Sequence, residues 1–490
     1  MKLKFTGHDY RYAVEQSLLA FFPNERPVYD GGDTNTAEVV LDVENENARA
    51  VTTLTVDGKT AVGTSEIDTS PAADEYERER LLQRAVKLSF FEAARTITGI
   101  TPAWGALTGI RPAKLAAGLL EEGKTEAETD AILRDTYFVS DSRRALCLPC
   151  AKAGLEAKRS LQSDEISLYA GIPFCPTRCA YCSFVSNSVE KSFHLVEPYL
   201  QALLAEVDSA AEMVRDLGLK VRSFYMGGGT PTTLTAEQMG RLLARLNEQF
   251  DLGNAVESTV EAGRPDTITA EKLAVLKRNG VTRVSVNPQS MNDEVLAAIG
   301  RRHSGDDIRA AMELVNRTGF PHVNMDLIAG LPEDTPERFR RTLDEVIAFG
   351  TDNITVHTLS LKKGSRITLE GTRIPTVEEV SAMLDYAAEV LHAAGFSPYY
   401  LYRQKYMSGS FENVGWCRPG GTGWYNIYIM EELHTILSLG AGGSTKMVDP
   451  ARNHIERVFN LKYPLEYIQR PEKIVSNQEA FRRFYGQMRH

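Results

Sequence analysis

The sequence contains no run of about 18 uninterrupted apolar residues, the length a membrane-crossing helix requires. Its opening stretch, Met1-Lys2-Leu3-Lys4-Phe5-Thr6-Gly7-His8, forms no apolar leader. A cytoplasmic protein without a membrane span is expected. Basic residues do not outnumber acidic ones: 55 Lys and Arg stand against 65 Asp and Glu, a formal charge of −10. No Lys/Arg block is present to neutralise phosphates, which argues against a general nucleic-acid binder. Cysteine is sparse, with six in 490 residues. That is no disulfide framework, and it suits a reducing compartment in which thiols are reserved for a metal. With 43% hydrophobic and 24% charged residues, the chain is ordinary globular material of two or three domains.

Half of those thiols fall in one short stretch. Cys175, Cys179 and Cys182 stand at C-x3-C-x2-C spacing in Leu168-Tyr169-Ala170-Gly171-Ile172-Pro173-Phe174-Cys175-Pro176-Thr177-Arg178-Cys179-Ala180-Tyr181-Cys182-Ser183-Phe184. Pro173, Phe174, Pro176, Arg178 and Tyr181 break any helical period, so the thiols are expected on a loop, converging on one point. Thiolates are soft ligands for an iron–sulfur cluster or zinc. A structural zinc site wants four protein ligands, whereas three thiolates on a four-iron cluster leave one iron open. The zinc reading has a partner in Cys147-Leu148-Pro149-Cys150. Its gap to Cys179 is long for a zinc ribbon, and Cys175 would be left over. Two incidental thiols near a helix turn are the other reading of that pair.

From residue 166 the pattern is an apolar run followed by an amphipathic helix, repeated. Strands are expected at 166–170, 221–226, 258–262, 283–286, 322–328 and 353–359, with helices at 198–217, 236–250, 270–279, 306–318 and 336–349. Six strands separated by helices predict an α/β fold, an open partial (βα)6 barrel with active residues at the C-terminal strand ends. Residues 1–105 read as an α+β accessory domain, 106–163 as a helical linker, 164–375 as the partial barrel and 376–490 as a helical or mixed substrate cap. Within the first of these, 2–5 and 39–42 read as strands, 10–22 and 75–95 as helices, and Asp57-Gly58 as the turn of a hairpin.

Polar and glycine-rich residues collect at the expected strand ends. After the second strand comes Gly227-Gly228-Gly229-Thr230-Pro231-Thr232, a backbone stretch that a ligand can approach closely. Glu261 follows Val260 at the third strand and Gln289 follows Asn287-Pro288 at the fourth, Arg301 lies in Gly300-Arg301-Arg302-His303, and Asp326 sits on the fifth strand. A carboxylate in an apolar strand is costly unless paired, so Glu261 and Asp326 are expected to have partners.

The Cys loop resembles that of the radical S-adenosylmethionine (radical SAM) enzymes. From about residue 163 onward, the motif order resembles one family of them, the oxygen-independent coproporphyrinogen III oxidases, and within it the HemZ-type branch. The motifs are Leu-Tyr-x-x-Ile-Pro-Phe-Cys, Gly-Gly-Gly-Thr-Pro-Thr, Glu261, Gln289-Ser290 with Asn292-Asp293-Glu294, Gly300-Arg301-x-His303, and Asp326-Leu327-Ile328-x-Gly330-Leu331-Pro332. The branch is suggested by the extra N-terminal domain and by Phe411-Glu412-Asn413-Val414-Gly415-Trp416.

The resemblance implies that Cys175, Cys179 and Cys182 ligate a [4Fe-4S] cluster. It also implies that Tyr169, Tyr181, Gly228, Gly229, Thr230, Glu261, Gln289, Arg301 and Asp326 contact S-adenosylmethionine (SAM), whose cleavage releases a 5′-deoxyadenosyl radical. The implied reaction converts two propionates of coproporphyrinogen III, or a related tetrapyrrole, to vinyls, with an unidentified reductant and electron acceptor. Arg178, Lys362, Lys363, Arg366, Arg403 and Lys405 are candidate cations for the propionates. The chain departs from the family at Gly171, where a His is common, and at Phe184, where the oxidases carry a further Cys. It also lacks the His-Asn pair of the family's haem chaperones; the nearest stretches are Trp416-Cys417 and Trp424-Tyr425-Asn426. A haem-trafficking protein and a radical SAM enzyme for another tetrapyrrole or small molecule are the alternatives. Pro398-Tyr399-Tyr400-Leu401-Tyr402 reads either as an aromatic lid or as a core strand, and the Gly-rich stretch Leu437 to Ser444 resembles a family segment near the substrate.

Overall fold

The structure, a computed structural model, describes residues 1–23, 25–32, 34–182, 187–360, 373–404, 410–451 and 453–488. These divide into two units: residues 1–148 with 403–411, and residues 149–402 with 412–490.

In the first unit, β1 (Lys2–Thr6), β2 (Thr36–Glu44), β3 (Asn47–Val56) and β4 (Lys59–Asp68) form a sheet in that order. β1 and β2 are parallel and the other pairs antiparallel. The β3–β4 hairpin turns on Asp57-Gly58, both left-handed at φ 50° and 77°, as a tight two-residue hairpin favours. A helix, Glu75–Thr98, packs on β3 and β4, burying Val86, Phe90 and Ala94 against Ala50 and Leu54. Asp74 caps its start through Glu77 N, and left-handed Gly99 ends it. Arg403, a candidate propionate cation, is buried in this unit. Its guanidinium donates to the Leu107 and Ser410 carbonyls and lies 5.8 Å from the Trp104 ring, a structural engagement the sequence did not suggest.

The second unit opens with β5 (Glu165–Ile172), β6 (Phe174–Cys175) and β7 (Asn187–Ser188). It continues through β8 (Lys220–Gly228), β9 (Glu257–Gly263), β10 (Arg283–Gln289), β11 (His322–Ala329) and β12 (Asn353–Thr358). β5, β8, β9, β10, β11 and β12 lie side by side in chain order, all parallel, the six-strand βα repeat expected. Their helices are set by local signals. In Ala236–Phe250, Thr235 and Gln238 form a capping box, and Met239, Leu242, Leu243, Leu246 and Phe250 make the buried stripe.

The C-terminal residues extend this sheet at both edges. They supply β13 (Ser397–Arg403), β14 (Glu412–Cys417), β15 (Ile436–Leu439), β16 (Ser444–Asp449) and β17 (His454–Phe459). β15 pairs parallel with β5, and β14 pairs antiparallel with β12. The full order is β13-β14-β12-β11-β10-β9-β8-β5-β15-β16-β17, open at its ends among the described residues. Tyr399, Tyr400 and Leu401 are buried in β13, so that aromatic segment is a core strand. No helix among the described residues is long and apolar enough to cross a membrane.

Candidate functional site

Pro173 follows β5, and the chain then makes only two strand residues, β6, paired with β7. Backbone bonds fix the loop beyond. Gly229 N donates to Ile172 O at 2.8 Å and Thr230 N to Phe174 O at 2.7 Å, stitching the first cysteine to the Gly-rich run at the end of β8. A Cβ on Gly229 would stand 2.5 Å from Phe174 O and 2.9 Å from Cys175 Sγ, so glycine is required for the approach. Thr230 Oγ1 lies 3.6 Å from that sulfur. Further on, Ala180 N donates to Ile299 O at 2.9 Å and Cys182 N to Cys179 O at 3.2 Å. All three thiols are partly exposed. Among the described residues, no three His, Cys, Asp or Glu side chains close to the spacing of a single metal ion. Cys147 and Cys150 are buried on the helix Asp141–Ser160.

Arg301 ties the loop to the end of β10. Its Nη2 donates to the Tyr181 hydroxyl at 3.1 Å, and Nη1 donates to Asn287 O. Burial works against its charge, but the Tyr181 hydroxyl and the Cys179 thiol hold its pKa above the ordinary arginine value. Burial likewise pushes the Tyr181 phenol up. Gln289 is left-handed at φ 68° and 7% exposed. That conformation is uncommon for a residue other than glycine. Its Oε1 and Arg301 Nε are both buried without a hydrogen-bond partner.

A second group lies across β8, β9, β11 and β12. The Tyr225 hydroxyl donates to Glu261 Oε1 at 2.7 Å, and the Tyr169 and Tyr225 rings stack with centroids 6.3 Å apart. Burial pushes the Glu261 carboxyl up to about 7, with the Asp326 charge adding to the rise. For Asp326 burial also acts upward, but the neighbouring His357, Asn324 and Thr355 outweigh it and hold that carboxyl below its usual range. Asn324 Nδ2 bridges Asp326 Oδ1 at 2.8 Å and Ser285 Oγ at 2.7 Å, and His357 Nε2 lies 3.9 Å from Asp326. The two carboxyls therefore hold different protonation near neutral pH, which suits hydroxyl groups that both donate and accept.

These features suit a thiolate-held cluster with a polar nucleotide beside it. They include soft sulfur donors, a glycine cradle that a Cβ would fill, and orphaned polar atoms on Arg301 and Gln289. Residues 169–346 match the radical SAM superfamily. The chain is 37% identical over 482 residues to the oxygen-independent coproporphyrinogen-III oxidase-like protein HemZ of Bacillus subtilis, covering 96% of both chains. It therefore belongs to that oxidase-like family, and its cofactors are a [4Fe-4S] cluster and SAM. It is also 32% identical over 318 residues to the heme chaperone HemW of Mycobacterium tuberculosis, covering 63% of this chain and 75% of that one. The solved coproporphyrinogen III oxidase HemN of Escherichia coli superposes with a TM-score of 0.53 at 24% identity, over 66% of this chain and 72% of that one. That likeness shows the fold.

Two residues at these strand ends escaped the sequence reading. His357 sits one residue from the end of β12 beside Asp326, and its alternation with Thr355 was the only signal. Arg264, two residues beyond Ala262, is 3% exposed and bonded to the Cys loop. Its place directly after Gly263 and before Pro265 was the available cue. Arg178 is exposed, while Lys362, Lys363, Arg366 and Lys405 lie outside the described residues.

Proposed function

We propose that the protein is a cytoplasmic decarboxylating oxidoreductase that converts coproporphyrinogen III to protoporphyrinogen IX without oxygen, in porphyrin and haem biosynthesis. The observation that carries this reading is the end-to-end match, over 482 residues, to a relative named as coproporphyrinogen-III oxidase-like. Cys175, Cys179 and Cys182 hold the cluster. Tyr169, Tyr181, Gly228, Gly229, Thr230, Glu261, Gln289, Arg301 and Asp326 hold SAM. Together the two cofactors supply, when bound, an organic radical able to take hydrogen from an unactivated carbon.

The chain's own residues bind and orient. Arg301 offers its orphaned Nε to a carboxylate. Charged Asp326 accepts from hydroxyls, and Glu261, raised to about 7, both donates and accepts near neutral pH. The Gly227–Gly229 backbone admits a ligand without side-chain interference. The tyrosine stack, with Tyr225 and Tyr425 centroids 4.7 Å apart and Tyr425 buried, places apolar ring faces beside the strand ends, where they limit the access of water. Each propionate loses one hydrogen atom, one carbon dioxide and one electron to become a vinyl. The electron leaves to an acceptor, and a separate reductant primes each turnover.

The second reading, a heme-binding chaperone, is supported by the 32% identity to HemW. One anaerobic experiment separates the two. The reconstituted protein receives SAM, reductant, an electron acceptor and coproporphyrinogen III, and product mass is followed together with 5′-deoxyadenosine. Stepwise loss of two carboxyl groups, abolished by Cys179→Ala, is the expected result. Deoxyadenosine formed over an unchanged porphyrin mass would reject the oxidase reading, and stoichiometric haem binding without turnover would favour the chaperone.

A further inference from the structure

Where β9 and β10 pair, β9 carries one residue too many: Ser285 faces Glu261, but Val286 faces Gly263, leaving Ala262 as a bulge. Bulges bend a strand and re-aim the side chains that follow. Gly263 comes next at φ +66°, where an added Cβ would sit 3.2 Å from Thr230 Cγ2, so the turn needs glycine twice over. The residue delivered by this bend is Arg264, 3% exposed. Its Nη1 donates to Thr177 Oγ1 at 2.6 Å and to Thr177 O at 3.4 Å. Its Nε and Nη2 donate to the two Asp266 oxygens at 3.0 and 2.8 Å.

Thr177 stands between Cys175 and Cys179. The guanidinium is thus a two-sided fork, with a carboxylate on one edge and the thiol-bearing loop on the other. Only arginine's rigid planar donors serve both edges at once; a lysine could bring the charge but not the fork. Burying such a cation is costly unless it is paired, and Asp266 supplies the pairing from a position 31% exposed. Solvent therefore screens the carboxylate more than the guanidinium, and a net positive field remains on the loop side.

We infer that Arg264 is a positioning residue of the Cys loop: it fixes Thr177, and thereby the spacing of Cys175 and Cys179, and it sets a buried positive charge against the thiol-bearing loop that would raise the reduction potential of a cluster held there. The inference rests on the reading that these three thiols hold the cluster. A thiolate-bound cluster gains negative charge on reduction, so a nearby fixed cation favours the reduced form, and hydrogen bonding around the ligands tunes it further.

The test uses the full chain, reconstituted anaerobically, as wild type, Cys179→Ser, Arg264→Gln, Arg264→Lys and Thr177→Val. Iron and sulfide per chain, the midpoint potential from an EPR-monitored titration, and cluster half-life against an iron chelator are read for each. Arg264→Gln is expected to give a more negative potential and a half-life shortened about tenfold, the worth of one charge-assisted hydrogen bond. Arg264→Lys should restore the potential but not the half-life, and Thr177→Val should shorten the half-life at unchanged potential. If Arg264→Gln does not fold, judged by circular dichroism, Thr177→Val carries the test alone, and an unchanged half-life there overturns the inference. Equal potentials in wild type and Arg264→Gln, with intact clusters, would overturn the inference while leaving the ligand reading standing. Iron content unchanged by Cys179→Ser would overturn both.

Discussion

The Tyr225 hydroxyl donates to Glu261 across the β8–β9 boundary at 2.7 Å, yet the bond does not keep that carboxyl acidic: burial, with the Asp326 charge behind it, raises its pKa to about 7. A carboxyl raised above its unfolded value of 4.5 keeps its proton in the folded chain after the unfolded chain has released it. Its stabilising contribution is full below about pH 4.5 and is lost as pH rises through about 7, a change on the order of 3 kcal/mol. Urea unfolding of wild type and Glu261→Gln between pH 4.5 and 8 measures this. The wild type should lose that stability relative to the variant as pH rises, and parallel curves would contradict the assignment.

Asp326 is the complementary case, a carboxyl held charged by its neighbours. Asn324, locked between Ser285 and Asp326 at 2.7 and 2.8 Å, orients it from within the sheet. Replacing Asp326 by Ala is expected to raise the KM for SAM about tenfold, the loss of a charged hydrogen bond to the nucleotide, while iron per chain stays at the wild-type value. A parallel fall in iron would mean that Asp326 supports the loop and not the nucleotide.

Gly229 makes a sharper prediction. The Cβ of Gly229→Ala would fall 2.5 Å from Phe174 O, a contact that backbone must move to relieve, at a cost of about 1–3 kcal/mol. Cys175 moves with Phe174, so the variant should fold but bind less than half the wild-type iron. Full iron loading would show that the Gly-rich run is not pressed against the first cysteine.

The parallel strands were legible because their signals are local: an apolar run, a cap such as Thr235 with Gln238, and a 3.6-residue stripe. The Cys loop, the glycine run and Glu261 were legible as residue types at strand ends, Asp326 as a carboxylate within a strand, and Arg301 through its Gly300-Arg301-x-His303 motif. What was not legible depends on pairing across the chain. β15 joins β5, with Ile436 opposite Ser167, and no local pattern in either segment announces a partner some 270 residues away. Arg403 reads from sequence as a candidate cation for the propionates, and only the fold reveals the Leu107 carbonyl and Trp104 ring beside it. Arg264 depends on a one-residue register slip between β9 and β10, a property of two strands together.

The Gly-rich turn after β15 owes its place to such a long-range contact. Glu206, 5% exposed on the helix Val196–Asp216, accepts from Gly440 N at 2.7 Å, Asn460 Nδ2 at 2.8 Å and the Tyr467 hydroxyl at 2.5 Å. Alongside, the Tyr199 hydroxyl accepts from Ala441 N at 3.0 Å and donates to Gly171 O at 2.6 Å. The turn is thereby clamped against β5 at Gly171, where an added Cβ would stand only 3.3 Å from Ala441 O. Removing the carboxyl with Glu206→Ala takes the acceptor from Gly440 N and the Tyr467 hydroxyl, while Asn460 Nδ2 keeps the Gly440 carbonyl at 3.0 Å, at a cost of about 3–5 kcal/mol. The same variant should speed amide exchange at Gly440 and Ala441 far more than in the neighbouring strands β5 and β8. If exchange rises uniformly across the unit, Glu206 stabilises the fold as a whole; if it rises at the turn alone, the carboxyl is the clamp that holds this segment over the end of β5.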